Sequence, residues 1–207
     1  MTPVPPVFAV VLAAGSAQRF GGQKLLEPVN GRPLLAHVIR AVQVCEREGV
    51  IRASYVVVPS LNAGVAELVR EMGARAVVAA QAADGMGWSL RAGLEAVEAA
   101  APIGGAALVV VLGDQPGLRP DVTTALVRRW RAGGGPVVRP RYADEPDVPG
   151  HPVLLDRSEW VRLAALEGDR GLGDGAMGTA VLVDAPGRNP DIDTRADARA
   201  FSRREAT

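Results

Sequence analysis

The sequence predicts an α/β fold: a mostly parallel sheet with helices on both faces. Three observations carry this. Apolar runs rich in β-branched residues alternate with amphipathic stretches as far as residue 135. The two most apolar runs, at residues 7–12 and 107–112, have the length and continuous hydrophobicity of strands buried on both faces. Each runs straight into a glycine-containing polar loop, at the strand end where open α/β sheets bind ligands.

The elements follow in order. The run Val7-Phe8-Ala9-Val10-Val11 is the first strand. Pro33 opens a helix through His37, Ile39 and Val42 to about residue 47. Residues 54–58 form a second strand. Asn62 caps a helix that ends near Glu71, before Gly73. Residues 74–79 form a third strand, and Gly85-Met86-Gly87 leads into a helix over 88–100. After the strand at 107–112 comes a helix over 121–131, capped by Asp121 and stopped by Gly133-Gly134-Gly135. There the rhythm breaks. Val137-Val138 and residues 151–155 read as short strands around a proline-rich charged loop at 140–149. A helix over 158–166, a glycine-rich stretch at 168–178, a strand over 179–183 and a helix over 196–202 complete the chain. With no internal repeat and no long linker, residues 1–207 read as one domain.

Composition bounds the function. Of 207 residues 48% are hydrophobic, enough for a packed core, which argues against disorder. The formal net charge of zero argues against a general nucleic-acid binder. One cysteine and two histidines exclude a Cys/His zinc cluster and any intrachain disulfide. Cys45 and His37 fall on the first helix and read as structural, as do Trp130 and Trp160. No run reaches membrane-spanning length and residues 1–6 lack a signal pattern, so the expected location is cytoplasmic.

The loop after the first strand reads LAAGSAQRFGGQK over residues 12–24. Its glycines let backbone N–H groups approach a ligand closely, and Arg19 and Lys24 add positive charge, a combination suited to nucleotide phosphates. It is neither a P-loop nor a dinucleotide fingerprint, because it lacks both spacings. The second apolar strand ends in Gly113-Asp114-Gln115-Pro116. A carboxylate at that strand end is a natural ligand for magnesium, which takes one or two carboxylates together with substrate phosphates.

These segments together resemble the small nucleotidyltransferases that attach a nucleotide to molybdopterin, in particular the molybdenum cofactor cytidylyltransferases. Six motifs carry the resemblance in order: the loop at 12–24, Asp84-Gly85-Met86-Gly87-Trp88-Ser89-Leu90, Leu112-Gly113-Asp114-Gln115-Pro116, Gly150-His151-Pro152, Gly168-Asp169-Arg170-Gly171 and Asp191-Ile192-Asp193-Thr194. Three places depart from the family pattern: Ala17 for serine, Phe20 for methionine, and Gly87-Trp88 for small positions.

The resemblance implies a three-layer, Rossmann-like nucleotidyltransferase fold with a mostly parallel sheet. Residues 7–135 would bind the nucleotide and 136–203 the acceptor. It implies transfer of CMP from CTP to molybdopterin with loss of pyrophosphate, dependent on magnesium (Mg2+). Lys24 would stabilise charge at the α-phosphate and Arg19 would hold the β- and γ-phosphates. Backbone groups of Leu12, Ala13, Ala14, Gly15 and Ser16, with Asp84, Gly85 and Ser89, would line the nucleotide site. Asp114 and Asp193 would hold the metal, with Asp191 the weaker choice, and His151 would face the pterin. No general base is needed, because an ionised phosphate is already a nucleophile. The product would pass to a molybdenum hydroxylase. Alternatives are a guanylyltransferase on the same pterin, transfer to another small phosphorylated acceptor, and a non-catalytic cofactor binder.

Overall fold

The computed structural model of the chain describes residues 4–15, 20, 22–61, 64–101, 106–166, 172 and 178–204. Its elements are β1 (Val7–Leu12), β2 (Pro28–Val29), β3 (Arg32–Pro33), α1 (Leu34–Arg47), β4 (Ala53–Val58), α2 (Gly64–Glu71), β5 (Arg75–Val78), α3 (Met86–Ala100), β6 (Ala107–Leu112), α4 (Pro120–Arg131), β7 (Val137–Tyr142), β8 (Val153–Asp156), α5 (Trp160–Ala164), β9 (Val181–Ala185) and α6 (Arg195–Arg204). Seven strands form one sheet in the order β5-β4-β1-β6-β8-β7-β9. All pairs are parallel except those of β8, which runs antiparallel to both β6 and β7.

The period-2 alternation of a strand explains the three layers. In β1, Val7, Ala9 and Val11 point to the face covered by α1, α2, α4 and α6. Phe8 and Val10 point to the opposite face, covered by α3 and α5. Both faces of β1 and β6 are therefore buried, which is why these strands read as unbroken apolar runs. Helix α3 lies so close to β1 that a Cβ at Gly93 would sit 2.5 Å from Val10 Cγ1.

Several expectations are corrected. Strand β7 continues through Pro140 to Tyr142, so the charged loop starts later than expected. Proline is tolerated there because β8 pairs with β7 only at Val137 and Val138, so no β8 carbonyl is left waiting for an N–H from residue 140, while its carbonyl accepts from the Gly150 N–H at 2.8 Å. The expected strand at 151–155 begins at Val153 and is antiparallel. The helix expected over 158–166 divides into a 3₁₀ turn, Arg157–Glu159, and the short α5. The strand expected over 179–183 lies two residues later, as β9. Asp121 does not cap α4: Pro120 takes the first helical position after Arg119, and Asp121 pairs with the Arg119 guanidinium at 2.7 Å. The β2–β3 hairpin was not anticipated. Asn30 (φ 49°) and Gly31 (φ 75°) form its two-residue turn, the positive-φ pair such hairpins require. Asn62 and the stretches 168–171 and 173–177 lie outside the described residues.

Candidate active site

Parallel register brings two loops together. Val7 to Leu12 of β1 pair with Ala107 to Leu112 of β6, so both strands end at one level. The Gly113 N–H donates to the Leu12 carbonyl at 2.9 Å. A Cβ at Gly113 would lie 2.7 Å from that same oxygen, so glycine is what allows the two loops to touch. Asp114 therefore emerges beside the segment that follows Leu12.

Lys24 opens a 3₁₀ turn, Lys24–Leu26, anchored by the buried Leu25. From the opposite side comes the segment Asp191-Ile192-Asp193. Ile192 is its internal anchor: its side chain is buried, and its N–H donates to the Asp114 carbonyl at 3.1 Å. Asp191 and Asp193 flank that anchor. A cap at the start of α6 fixes the segment further. The Thr194 Oγ1 accepts from the Asp197 N–H at 3.2 Å, while the Asp197 carboxylate accepts from the Thr194 N–H at 2.8 Å and the Asp193 N–H at 3.2 Å. Capping thus falls to Thr194 and Asp197, and the Asp193 carboxylate is left for another partner. Arg195 secures the same end, pairing with Glu27 at 2.8 Å and lying over the Phe20 ring at 5.4 Å.

The partner of Asp193 is Lys24. Its ammonium donates to Asp114 Oδ2 at 2.8 Å and to Asp193 Oδ1 at 3.1 Å. The Lys24 side chain is 12% exposed, Asp114 26% and Asp193 53%, so the cluster sits at a wet rim above a drier floor. Burial alone would lower the lysine pKa, but the two carboxylates outweigh it and hold the ammonium above its ordinary value. Asp191 differs: burial, then the Asp114 charge, raises its pKa, and its Oδ1 accepts from Gln115 Nε2 at 3.0 Å.

This donor set fits a divalent cation. Carboxylates outnumber the one ammonium between them, so the rim favours added positive charge. Among the described residues no three His, Cys, Asp or Glu side chains are grouped to hold a metal ion. A cation here would take Asp114 and Asp193 and complete its shell with water and phosphate oxygens, the habit of magnesium.

The other expected site residues are distributed as follows. The Ala13 N–H donates to the Val57 carbonyl at 2.9 Å and so leaves the group of loop N–H donors. Ala14 is buried, and Gly15 has open space where a side chain would be. Asp84 is exposed on a 3₁₀ turn, Ala82–Asp84, Gly85 follows with φ 134°, and Ser89 is buried in α3. Arg19, Ser16 and Gly168-Asp169-Arg170-Gly171 lie outside the described residues. Leu12 and His151 meet across a cavity of about 220 Å³ that Met86, Val110, Leu112, Arg139 and Leu172 also line. The buried Arg139 holds that loop by donating to the carbonyls of Pro149 at 2.8 Å and Gly150 at 3.1 Å. Burial, then the Arg139 charge, pushes the His151 pKa down to about 4, so the imidazole is neutral near pH 7.

Four residues read as structural take structural places. His37 Nε2 bonds the Val29 carbonyl at 2.8 Å. Cys45 is buried, with its pKa raised to about 11 by that burial, and stays a thiol. Trp160 is a core residue and Trp130 donates to Asp156 Oδ2 at 2.9 Å.

Comparison with known proteins places the chain in a family. Residues 9–180 match the MobA-like NTP transferase domain. The chain is 32% identical over 138 residues to a probable molybdenum cofactor guanylyltransferase of Thermococcus kodakarensis, covering 67% of this chain and 61% of that one. It is 31% identical over 158 residues to the bifunctional protein GlmU of Parvibaculum lavamentivorans, covering 75% of this chain and 33% of that one. The chain thus spans about a third of GlmU and less than two thirds of the guanylyltransferase. Among solved structures, Rv0371c of Mycobacterium tuberculosis superposes with a TM-score of 0.75 at 27% identity, covering 96% of this chain and 98% of that one. A structure of Rv0371c in complex with manganese superposes with a TM-score of 0.70 at 25% identity, covering 96% of this chain and 98% of that one.

Proposed function

Because the chain belongs to the MobA-like NTP transferase family, we propose that it transfers a nucleoside monophosphate from a nucleoside triphosphate to molybdopterin. The observation that carries this is the Lys24 ammonium held between Asp114 and Asp193 at the end of β6. The terminal phosphate of the acceptor attacks the α-phosphorus. One P–O bond forms, the bond to the β-phosphate oxygen breaks, and pyrophosphate leaves with that electron pair.

Asp114 and Asp193 hold magnesium, which when bound neutralises phosphate charge. Lys24 offsets the charge that builds at the α-phosphate, and Arg19 grips the β- and γ-phosphates. Ala14 and Gly15 offer N–H groups to the nucleotide, with Leu12, Asp84, Gly85 and Ser89 around it. His151 faces the acceptor. Catalysis is then mostly alignment and charge neutralisation. Gly113-Asp114-Gln115-Pro116 and Gly150-His151-Pro152 favour CTP, by their resemblance to the cytidylyltransferases. A second reading, GTP, is favoured by relatives named as probable molybdenum cofactor guanylyltransferases. We place the enzyme in the cytoplasm, with the product passing to a molybdenum hydroxylase. No described helix is long and apolar enough to cross a membrane.

Pyrophosphate release, measured with each of the four triphosphates and molybdopterin, tests this. Release with CTP alone is expected. Release with GTP alone makes the chain a guanylyltransferase. Tight triphosphate binding without release from any pair makes it a binder.

His151→Ala should raise the Michaelis constant for molybdopterin about tenfold, the loss of one hydrogen bond of about 1.4 kcal/mol, and leave triphosphate affinity unchanged. Lost triphosphate affinity would place His151 in the nucleotide site instead. Because the imidazole is neutral well above pH 4, the wild-type pterin Michaelis constant should be flat between about pH 6 and 8. Acid has a separate effect. Below its ordinary pKa of 6.5 the unfolded His151 takes a proton that the folded one refuses down to about 4. Stability is therefore complete above that window and falls as pH drops through it. Melting temperatures of wild type and His151→Gln, compared across the window, should show the smaller acid loss in the variant.

A further inference from the structure

The segment that carries Asp193 is tied to the rest of the site by two buried amides. Gln115 is 5% exposed and Asn189 6%, although both are polar. Gln115 Nε2 donates to Asp191 Oδ1 at 3.0 Å, and Gln115 Oε1 accepts from Asn189 Nδ2 at 3.1 Å. The same Asn189 Nδ2 lies 3.4 Å from the His151 carbonyl, which also accepts from the Tyr142 hydroxyl at 2.8 Å. One hydrogen-bonded chain therefore runs from Asp191 through Gln115 and Asn189 to His151. Both of its ends abut the site, since Asp191 is two residues from Asp193 and His151 lines the cavity that Leu12 also lines, while Gln115, within the chain, follows Asp114 directly.

Packing makes the chain tight. A Cβ at Gly117 would lie 3.1 Å from Asn189 Oδ1, so Asn189 rests directly against the turn that follows Asp114. That Oδ1 is buried and accepts no hydrogen bond among the described residues. A buried acceptor without a partner is destabilising, and an apolar side chain of similar size would avoid that penalty. Asn189 is therefore better explained by what its two donated bonds position than by net stability.

We propose that Gln115 and Asn189 are positioning residues that set the metal carboxylates and the acceptor loop against each other. This rests on the reading that Asp114 and Asp193 hold the metal and that His151 faces the acceptor. Without the chain, the Asp193 segment is held by its Ile192 anchor, the α6 cap and the Lys24 pair, and the His151 carbonyl by Tyr142. Metal affinity and acceptor affinity then fall together, although neither amide touches a reacting atom.

The test uses the full chain and Mn2+ as probe, read by electron paramagnetic resonance without nucleotide. Three single variants, Gln115→Met, Asn189→Leu and Asp193→Asn, and one double variant are compared with wild type. The first two should weaken Mn2+ binding about tenfold, the lower range for removing partners that orient metal ligands. The double variant Gln115→Met/Asn189→Leu should be little worse than either alone, because both break one chain. Asn189→Leu should also raise the pterin Michaelis constant with triphosphate affinity unchanged. Melting temperature is recorded for each. Wild-type Mn2+ binding in both amide variants, with binding lost in Asp193→Asn, overturns the relay and leaves the metal reading standing. Wild-type binding in all three overturns both. Parallel loss of melting temperature and Mn2+ affinity, with triphosphate affinity equally weakened, reduces the amides to a structural role and overturns the proposal.

Discussion

Asp114→Ala should leave a folded protein whose transfer rate is about a thousandfold lower. The fold survives because the backbone of residue 114 does the structural work. Its carbonyl holds the Ile192 N–H at 3.1 Å, and that bond does not involve the side chain. What the carboxylate adds to stability is its bond to Lys24, a partly exposed ion pair worth about 1 kcal/mol or less. What it adds to the reaction is larger. Loss of a metal carboxylate removes several kcal/mol of charge stabilisation, and about 4 kcal/mol corresponds to about a thousandfold in rate. Steady-state turnover and a thermal melt, recorded on the same preparation, check both parts. Near-normal turnover at saturating magnesium would remove Asp114 from the mechanism.

Lys24→Ala should lower turnover about a hundredfold and change the nucleotide Michaelis constant little. An ammonium that acts where charge develops is felt in turnover, whereas one that only binds substrate is felt in apparent affinity. The geometry adds a second expectation of opposite sign. Lys24 sits 2.8 Å from Asp114 and 3.1 Å from Asp193. Its ammonium therefore competes with any cation for the same two oxygens. Removing it should strengthen Mn2+ binding in the absence of nucleotide, whereas Asp114→Ala should weaken it. A rise only in the nucleotide Michaelis constant would make Lys24 a binding residue. Weaker Mn2+ binding in Lys24→Ala would contradict the competition.

The parts of this fold that sequence made legible are those where one local signal decides. Continuous apolar runs identify β1 and β6, because only a strand covered on both faces needs no polar side. Pro33, Gly73 and the glycines at 133–135 mark helix ends because proline and glycine act through their own backbone. The antiparallel course of β8 has no such signal, since strand direction depends on where the chain returns from. Strand β7 looked shorter than it is because Pro140 lacks a ladder N–H and so argues against a strand, unless no neighbour needs that donor, as here beyond the short β7–β8 pairing. The β2–β3 hairpin had a signal, Asn30-Gly31, but strands two residues long carry no alternation to flank it.

The site divides in the same way. Lys24, Asp114 and Asp193 stand in separate motifs, and the sequence named each without showing that they meet. Gln115 was visible only as the neighbour of Asp114. Asn189 was not visible at all, because a bond across 74 positions depends on the completed fold.

The antiparallel β8 has a consequence for how such chains can be recombined. By order along the chain it belongs with the residues after 135, yet it lies between β6 and β7 and zips Val153 to Asp156 onto Val110 to Ala107. The portions before and after residue 135, proposed to bind nucleotide and acceptor, are therefore stitched, not juxtaposed. A polypeptide severed at residues 133–135 would leave β6 as a bare, wholly apolar edge on one fragment. Exchanging the portion after residue 135 for that of a relative cannot be done as a cassette. The incoming segment must reproduce a four-residue seam in register, and a slip of one position would turn Leu154 and Leu155 to the wrong sides of the sheet.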